Sequence, residues 1–332
     1  MARPPKTFAS FVGQSRVVDT VQRLADGARE SGRTVPHLLL VAAAGVGKTT
    51  LANALARYAG NFGENEEPTN LHTVQAGRRS IMQIHRVLCT AKPADFLFVD
   101  EAHALGEADA ELLYVAIDRS QTLRLGDDGR LDRTVSEPIA TITIILATNQ
   151  PGRIPRALLS RSIILELDAY TNRELRAIAQ RVASHHGVDL TAQAARVIAE
   201  RANGSPRRVE QMLLMIDSVT PRGVRLTQSQ VEAALTMTLG HDEYGLTPSQ
   251  RRLLALLARP GALRAEQIVN ALGLDPAYIR AEIEGPLMTR GLITVSGNHI
   301  RQITIGGRAT LALGGGDDER DDDGEPEAER AT

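Results

Sequence analysis

Eight consecutive residues, Ala42-Ala43-Ala44-Gly45-Val46-Gly47-Lys48-Thr49, carry the first chemistry of the chain. An apolar run, His37 to Ala42, leads into them, and a helical periodicity, Thr49 to Tyr58, follows. The glycines therefore fall between a strand and a helix N-terminus, where backbone amides and the helix dipole favour an anion. Lys48 is placed to reach the β- and γ-phosphates of a nucleotide, and Thr49 to offer its hydroxyl to Mg2+. Gly45, Val46, Gly47, Lys48, Thr49 and Thr50 are the expected nucleotide-binding residues. Of the 38 basic residues only Lys6, Lys48 and Lys92 are lysine, and a compact ammonium fits between phosphates where a planar guanidinium does not. The pattern departs from a phosphate-binding P-loop at one place, Ala42, where glycine is usual. If that position needs a positive φ, the Cβ costs on the order of 1 kcal/mol and loosens the loop.

A second buried run, Phe96 to Val99, ends in Asp100 and Glu101. Adjacent carboxylates at a strand end suit two jobs: Asp100 holds Mg2+ and its waters, and Glu101 orients or deprotonates an attacking water. Asn149 ends a third such run, Ile142 to Ala147, and its amide can polarise the same water. Arg161 is the candidate finger to a neighbouring subunit's γ-phosphate, with Arg156 competing for the role. Arg207, beside Arg208, is placed by Ser205-Pro206 at a helix start and is the candidate to meet nucleotide from a lid. The eight histidines show no metal spacing, and His185-His186 reads as a solvated helix end. ATP and Mg2+ are the expected cofactors.

These groups need a scaffold. Up to residue 170 strands alternate with helices, the pattern of a parallel α/β sheet. Phe8 to Gly13 reads as a short extended start. Ala110 to Arg119 reads as a helix and Thr122 to Ile139 as a hairpin about Gly126-Asp127-Asp128-Gly129. From 171 to 240 only helices are expected: Thr171 and Glu174 form a capping box, Gly187 and Gly204 end helices, and Thr227 to Leu239 is a fourth. In 241–313, three short helices and a hairpin about Gly297-Asn298 follow the winged-helix order. Residues 314–332 are too acidic to bury anything and read as a disordered tail.

The formal net charge of -2 hides a tail whose nine acids and two arginines bring -7 at 317–330, so the remainder carries +5. A mildly basic body permits nucleic acid without arguing it alone. No apolar run approaches the roughly 20 residues of a membrane span, the N-terminus has no secretory pattern, and Cys89 is the single cysteine. The expected location is cytoplasmic.

Several stretches resemble AAA+ ATPases and, within them, the RuvB branch-migration motors. They are Arg3-Pro4 with Phe11-Val12-Gly13-Gln14, His37-Leu38-Leu39, Gly47 to Asn53, Asp95 to Leu105, Gly204-Ser205-Pro206-Arg207, and Gly285-Pro286-Leu287 to Gly291-Leu292. The resemblance runs over most of residues 3–310. It implies an AAA+ P-loop core at 1–170, a helical lid at 171–240 and a winged helix at 241–313. It also implies Arg3, Phe11 and Val12 at the adenine, and a homo-hexameric ring pumping duplex or four-way-junction DNA. The hairpin at 122–139 occupies the place where the family binds RuvA, yet Leu125-Gly126-Asp127-Asp128-Gly129-Arg130 is charged where apolar contacts are usual. The wing, Ser296 to Arg301, is thin in cations, which leaves Arg301 as its candidate DNA contact. The finger segment Leu158-Leu159-Ser160-Arg161-Ser162 keeps one arginine where the family has two. The alternative reading is an ATP-gated loader or adaptor, like a clamp loader or helicase loader, driven by a protein partner.

Overall fold

Five segments too short for helices, four of them apolar runs, each followed by an amphipathic helix or a turn, pair in parallel into one sheet. They are β1 (Leu38–Val41), β2 (Leu71–Gln75), β3 (Phe96–Asp100), β6 (Thr143–Thr148) and β7 (Ile163–Glu166), in the order β2-β3-β6-β1-β7. An antiparallel hairpin, β4 (Gln121–Leu125) and β5 (Leu131–Pro138), lies between β3 and β6 in sequence. The structure, a computed structural model, describes residues 7–60, 70–126, 129–221, 223–242, 244–259, 263–296 and 299–313. Arg3, the turn residues Asp127-Asp128 and Gly297-Asn298, and the acidic segment 314–332 lie outside the described residues.

The sheet is covered on both faces, which is why β3 and β6 are apolar without alternation. Phe96 to Val99 and Thr143 to Thr148 are all buried. One cluster packs Leu97, Val99, Ile144 and Leu146 against Ile84 and Leu88 of α3 (Ser80–Thr90) and Leu112 and Leu113 of α4 (Glu107–Arg119). Burying each such side chain contributes roughly 1.5–3 kcal/mol relative to exposing it. The remaining helices of this part are α1 (Ser15–Ser31), α2 (Lys48–Ala59) and the single turn α5 (Arg156–Leu159). The register sets Val41 of β1 opposite Thr148 of β6, and Val99 of β3 opposite Leu146. The ends of these three strands therefore meet at one edge, where parallel α/β sheets hold their ligands.

The expected extended start at Phe8 is instead a 3-10 turn, Phe8–Ser10, in which the Ser10 hydroxyl accepts from Thr7 N and donates to Thr7 O. The capping box of α6 (Asn172–His186) is present: Thr171 N donates to Glu174 Oε2 at 2.8 Å, and Glu174 N to Thr171 Oγ1 at 3.3 Å. The other lid elements are α7 (Ala192–Arg201), α8 (Pro206–Val219), and two short strands absent from the sequence reading, β8 (Asp189–Leu190) and β9 (Arg225–Leu226).

By contacts the chain divides at Gln228/Ser229 into two units. The fourth expected lid helix, α9 (Gln228–Leu239), thereby falls almost wholly in the C-terminal unit, earlier than the expected boundary at 240. That unit contains α10 (Pro248–Ala258), β10 (Leu263–Arg264), α11 (Ala265–Leu272), α12 (Pro276–Tyr278), α13 (Gly285–Thr289), β11 (Ile293–Val295), β12 (Ile300–Ile303) and α14 (Ile305–Leu313). A π turn, Ile279–Glu284, joins α12 to α13, where Pro286 has no N–H to give. Leu253, Leu254, Ile268, Ile279, Ile283 and Leu287 form its core. Three strands in the order β10-β12-β11 make the wing, and α14 was not expected from sequence. Among the described residues no helix is long and apolar enough to cross a membrane.

Candidate active site

The turn after β1 bends sharply because Gly45 (φ +77°) and Gly47 (φ +111°) take left-handed conformations that favour glycine. A Cβ on Gly45 would lie 2.8 Å from both Arg207 Cβ and Ser205 Oγ, so the lid approaches this turn closely. Ser205 occupies the N-cap place of α8 as expected but makes no capping hydrogen bond. Ala42 behaves differently from the expectation. It is not among the residues with positive φ, and its N–H donates to Thr148 O at 3.1 Å, extending the β1–β6 ladder. Its Cβ therefore carries no left-handed penalty.

Lys48 is buried at the start of α2, and its Nζ donates to Ala42 O (2.9 Å) and Ala43 O (3.1 Å). Burial pulls its pKa below the ordinary lysine value; Asp100 and Glu101 push it back up, and Arg207 pulls it down again. A phosphate in the loop would supply the negative charge this ammonium lacks.

A cavity of about 340 Å³ opens over the turn, lined by Gly45, Gly47, Lys48, Thr49, Thr50, Asp100 and Glu101 from the core and by Arg207 from the lid. Asp100 Oδ1 accepts the Glu101 N–H at 2.9 Å. Thr49 and Asp100 bring one hydroxyl and one carboxylate, and among the described residues no group of three His, Cys, Asp or Glu could hold a metal alone. Two oxygen donors completed by phosphate and water is the arrangement Mg2+ takes with a nucleotide, so the residues fit that ion. Glu101 itself is in the left-handed region (φ +52°), and its Oε2 lies 3.3 Å from His103 Nδ1.

Sequence reasoning missed five lining residues of the lid, four of them on α6. Ile178, Arg181, Val182 and His185 recur on one face of α6, and all four reach the cavity together with Glu210 of α8. The i, i+3, i+4, i+7 spacing was the available signal, and His185 is part of this face rather than only a solvated end. Arg181 also donates to Ser10 O, and its burial lowers its pKa. The N-terminal segment is clamped to the start of the lid: Gln14 Nε2 donates to Asp168 O at 2.6 Å and Asp168 N to Gln14 Oε1 at 3.1 Å. Phe11 Cζ and Tyr170 Oη lie 3.7 and 3.5 Å from where a Gly47 Cβ would be. Burial pushes the Tyr170 hydroxyl up to about 12. Phe11 and Val12 are half-buried and, like the buried Val46, do not line the cavity.

Two further expected residues, Asn149 and Arg161, also stand apart from the cavity. Asn149 is exposed just beyond β6, next to the fully buried Thr148. Arg161 is exposed and held in a bidentate pair by Asp118 of α4, Nε to Oδ1 at 2.6 Å and Nη2 to Oδ2 at 2.7 Å. That pair holds Asp118 below, and Arg161 above, their usual pKa ranges. Arg156 is exposed as well.

Arg301 is a correction. It is buried, with Nε and Nη2 on Glu284 Oε1 and Oε2 (2.8 and 3.1 Å) and Nη1 on His299 O (2.7 Å). With Nε, Nη1 and Nη2 engaged inside the fold, the guanidinium fastens the wing to the π turn rather than standing on the surface as a DNA contact would.

The hairpin forms as expected, with a register shift between Leu123 and Arg124. Arg133 ties it to α4 through a bidentate pair with Glu111 (2.6 and 2.7 Å).

The family model of the Holliday junction DNA helicase RuvB P-loop domain matches residues 3–167. A Holliday junction branch migration complex subunit RuvB of Synechococcus sp. (strain WH7803) is 32% identical over 320 residues, 94% of this chain and 83% of that protein. The subunit of the same name from Thermotoga maritima is 31% identical over 302 residues, covering 87% of this chain and 86% of the relative. The solved Thermotoga maritima RuvB Holliday junction branch migration motor superposes with a TM-score of 0.74 at 28% identity, over 93% of this chain and 98% of its own. The likeness thus extends from the phosphate turn through the lid to the wing, and the chain belongs to the RuvB family of AAA+ P-loop ATPases.

Proposed function

We propose that the protein is an ATP-driven DNA motor that migrates Holliday junctions or remodels related recombination and repair intermediates. The observation that carries this reading is the convergence of Lys48, Thr49, Asp100, Glu101 and the lid's Arg207 on one cavity. Lys48 and the amides of the turn bind the phosphates, leaving the two backbone carbonyls that now hold the ammonium. Thr49 and Asp100 would hold Mg2+, which would supply positive charge against that developing on the phosphates. Glu101 takes a proton from the attacking water, and Asn149 orients that water from the end of β6. Arg207 follows the nucleotide with the lid. Arg3 and Phe11 with Val12 complete the adenine side.

Arg161 lies outside its own subunit's cavity, which supports its use in trans at a neighbour's γ-phosphate. The assembly is a homo-hexameric ring on duplex or four-way-junction DNA in the cytoplasm, with a RuvA-like partner at the hairpin 122–139. Engagement of Arg301 in the fold and the charged strand β5 favour one second reading, a loader-like ATPase driven by a protein partner instead of DNA.

Steady-state ATP hydrolysis by the wild type and Glu101→Gln, alone, with linear duplex and with a four-way junction, tests the motor. Junction-stimulated turnover that Glu101→Gln lowers by roughly 10²–10⁴-fold is expected. Turnover indifferent to every DNA would instead support the loader.

A further inference from the structure

Glu101 must aim its carboxylate at a water, and its side chain is 38% exposed, so its own burial does not fix it. The neighbour that touches it is His103, whose side chain is only 14% exposed. His103 sits in the 3-10 turn Ala102–Ala104 that Glu101 opens. Its Nδ1 is 3.3 Å from Glu101 Oε2 and also 3.3 Å from Thr148 Oγ1. On the other side of the ring, Nε2 is 3.5 Å from Gln150 Nε2. Thr148 is the fully buried last residue of β6, and its Oγ1 accepts the Gln150 N–H at 2.9 Å. One imidazole nitrogen thus stands equally far from the carboxylate of the proposed base and from the strand end that carries Asn149.

A single ring nitrogen serves one hydrogen bond well at a time. With a proton on Nδ1 it donates to the carboxylate, the stronger acceptor, or to the hydroxyl; without one it accepts from the hydroxyl and releases the carboxylate. Both separations are slightly longer than a well-formed bond, so neither partner holds the nitrogen outright. A few tenths of an ångström at the end of β6 is enough to decide which contact closes. Glu101 takes a left-handed φ at this turn, and its carboxylate lies within reach of this ring.

We infer that His103 is a positioning residue that shares Nδ1 between Glu101 and Thr148, so that movement of the β6 end beside nucleotide changes the aim of the Glu101 carboxylate. This rests on the reading of Glu101 as the base. Turnover at saturating ATP and the KM for ATP are to be measured for the full chain with each DNA, comparing Glu101→Gln, His103→Ala, His103→Asn, His103→Gln and Thr148→Val. His103→Ala is expected to lower kcat roughly 10- to 100-fold, the scale of a small misplacement at a reacting centre, with KM within about twofold. The Asn amide nitrogen reaches the place of Nδ1 and restores most of kcat; the longer Gln, which mimics Nε2, does not. Thr148→Val lowers kcat less, and adding it to His103→Ala changes nothing further, because the shared contact is already gone.

Turnover of His103→Ala within about twofold of wild type overturns the inference. So do equal losses in the Ala, Asn and Gln variants accompanied by a lower melting temperature, which would make His103 merely structural. If Glu101→Gln is inactive while His103→Ala is normal, only this inference falls. If Glu101→Gln, or the wild type under every condition, fails to behave as the base requires, the reading of Glu101 falls and takes the inference with it.

Discussion

Arg161 in the nucleotide unit and Arg301 in the C-terminal unit make the same contact in opposite surroundings. Each spans a carboxylate with two parallel hydrogen bonds, to Asp118 in one case and Glu284 in the other. The first pair is exposed, and water can replace either partner, so the arginine can leave it at little cost. The second is enclosed, with Glu284 3% exposed and Arg301 8%, and neither partner can leave without stranding a buried charge. Bond geometry alone does not tell which arginine can leave its partner; burial does.

Glu284→Ala should break the enclosed pair at the largest cost, about 3–5 kcal/mol of stability, because Arg301 is left charged and unpaired. Urea denaturation followed by circular dichroism measures it. The double replacement Glu284→Leu with Arg301→Met should recover most of the loss, and an equal loss in the double variant would show that packing, not charge, is responsible.

A smaller effect is expected in the phosphate turn, from two changes of glycine and alanine in opposite directions. Gly45→Ala puts a Cβ 2.8 Å from Arg207 Cβ and Ser205 Oγ at φ +77°, and should weaken ATP binding about tenfold, roughly 1.4 kcal/mol. Ala42→Gly should leave affinity nearly unchanged, since Ala42 does not take a positive φ. Titration calorimetry with a non-hydrolysed ATP analogue decides; tighter binding by Ala42→Gly would mean that the first position flexes on binding.

The smallest change in stability is expected at the exposed pair. Asp118→Asn should leave the melting temperature of the isolated chain essentially where it was, while ring-dependent turnover responds because Arg161 loses the anion that holds it. Loss of melting temperature without any change in turnover would make the pair structural after all and align it with Arg301.

The same division explains what could be read from the chain. Gly45, Gly47 and Lys48 were legible because a phosphate turn needs fixed types at fixed spacing, and Asp100-Glu101 because two acids ending an apolar strand have few structural reasons to be there. Thr171 and Glu174 were legible because a capping box is closed within four residues. Arg301 was misread because its partner is 17 residues away across the wing. The α6 face of Arg181 and His185 was overlooked because each residue type alone suits a solvated helix. The penalty at Ala42 depends on a positive φ, which its motif position does not settle and which pairing with β6 excludes.

Sequence by itself determined the local devices: strand, turn and helix around Lys48, the paired acids, and the capping box that opens α6. Each depends on backbone preference or on residues within one or two turns of chain. Only the tertiary structure decided that Lys48 rests on Ala42 and Ala43, that His103 stands between Glu101 and Thr148, and that Arg301 is enclosed while Arg161 is free to solvent. Those facts depend on which strands lie side by side and on how far water reaches each charge, and desolvation is a property of the folded surroundings rather than of a residue's neighbours in sequence.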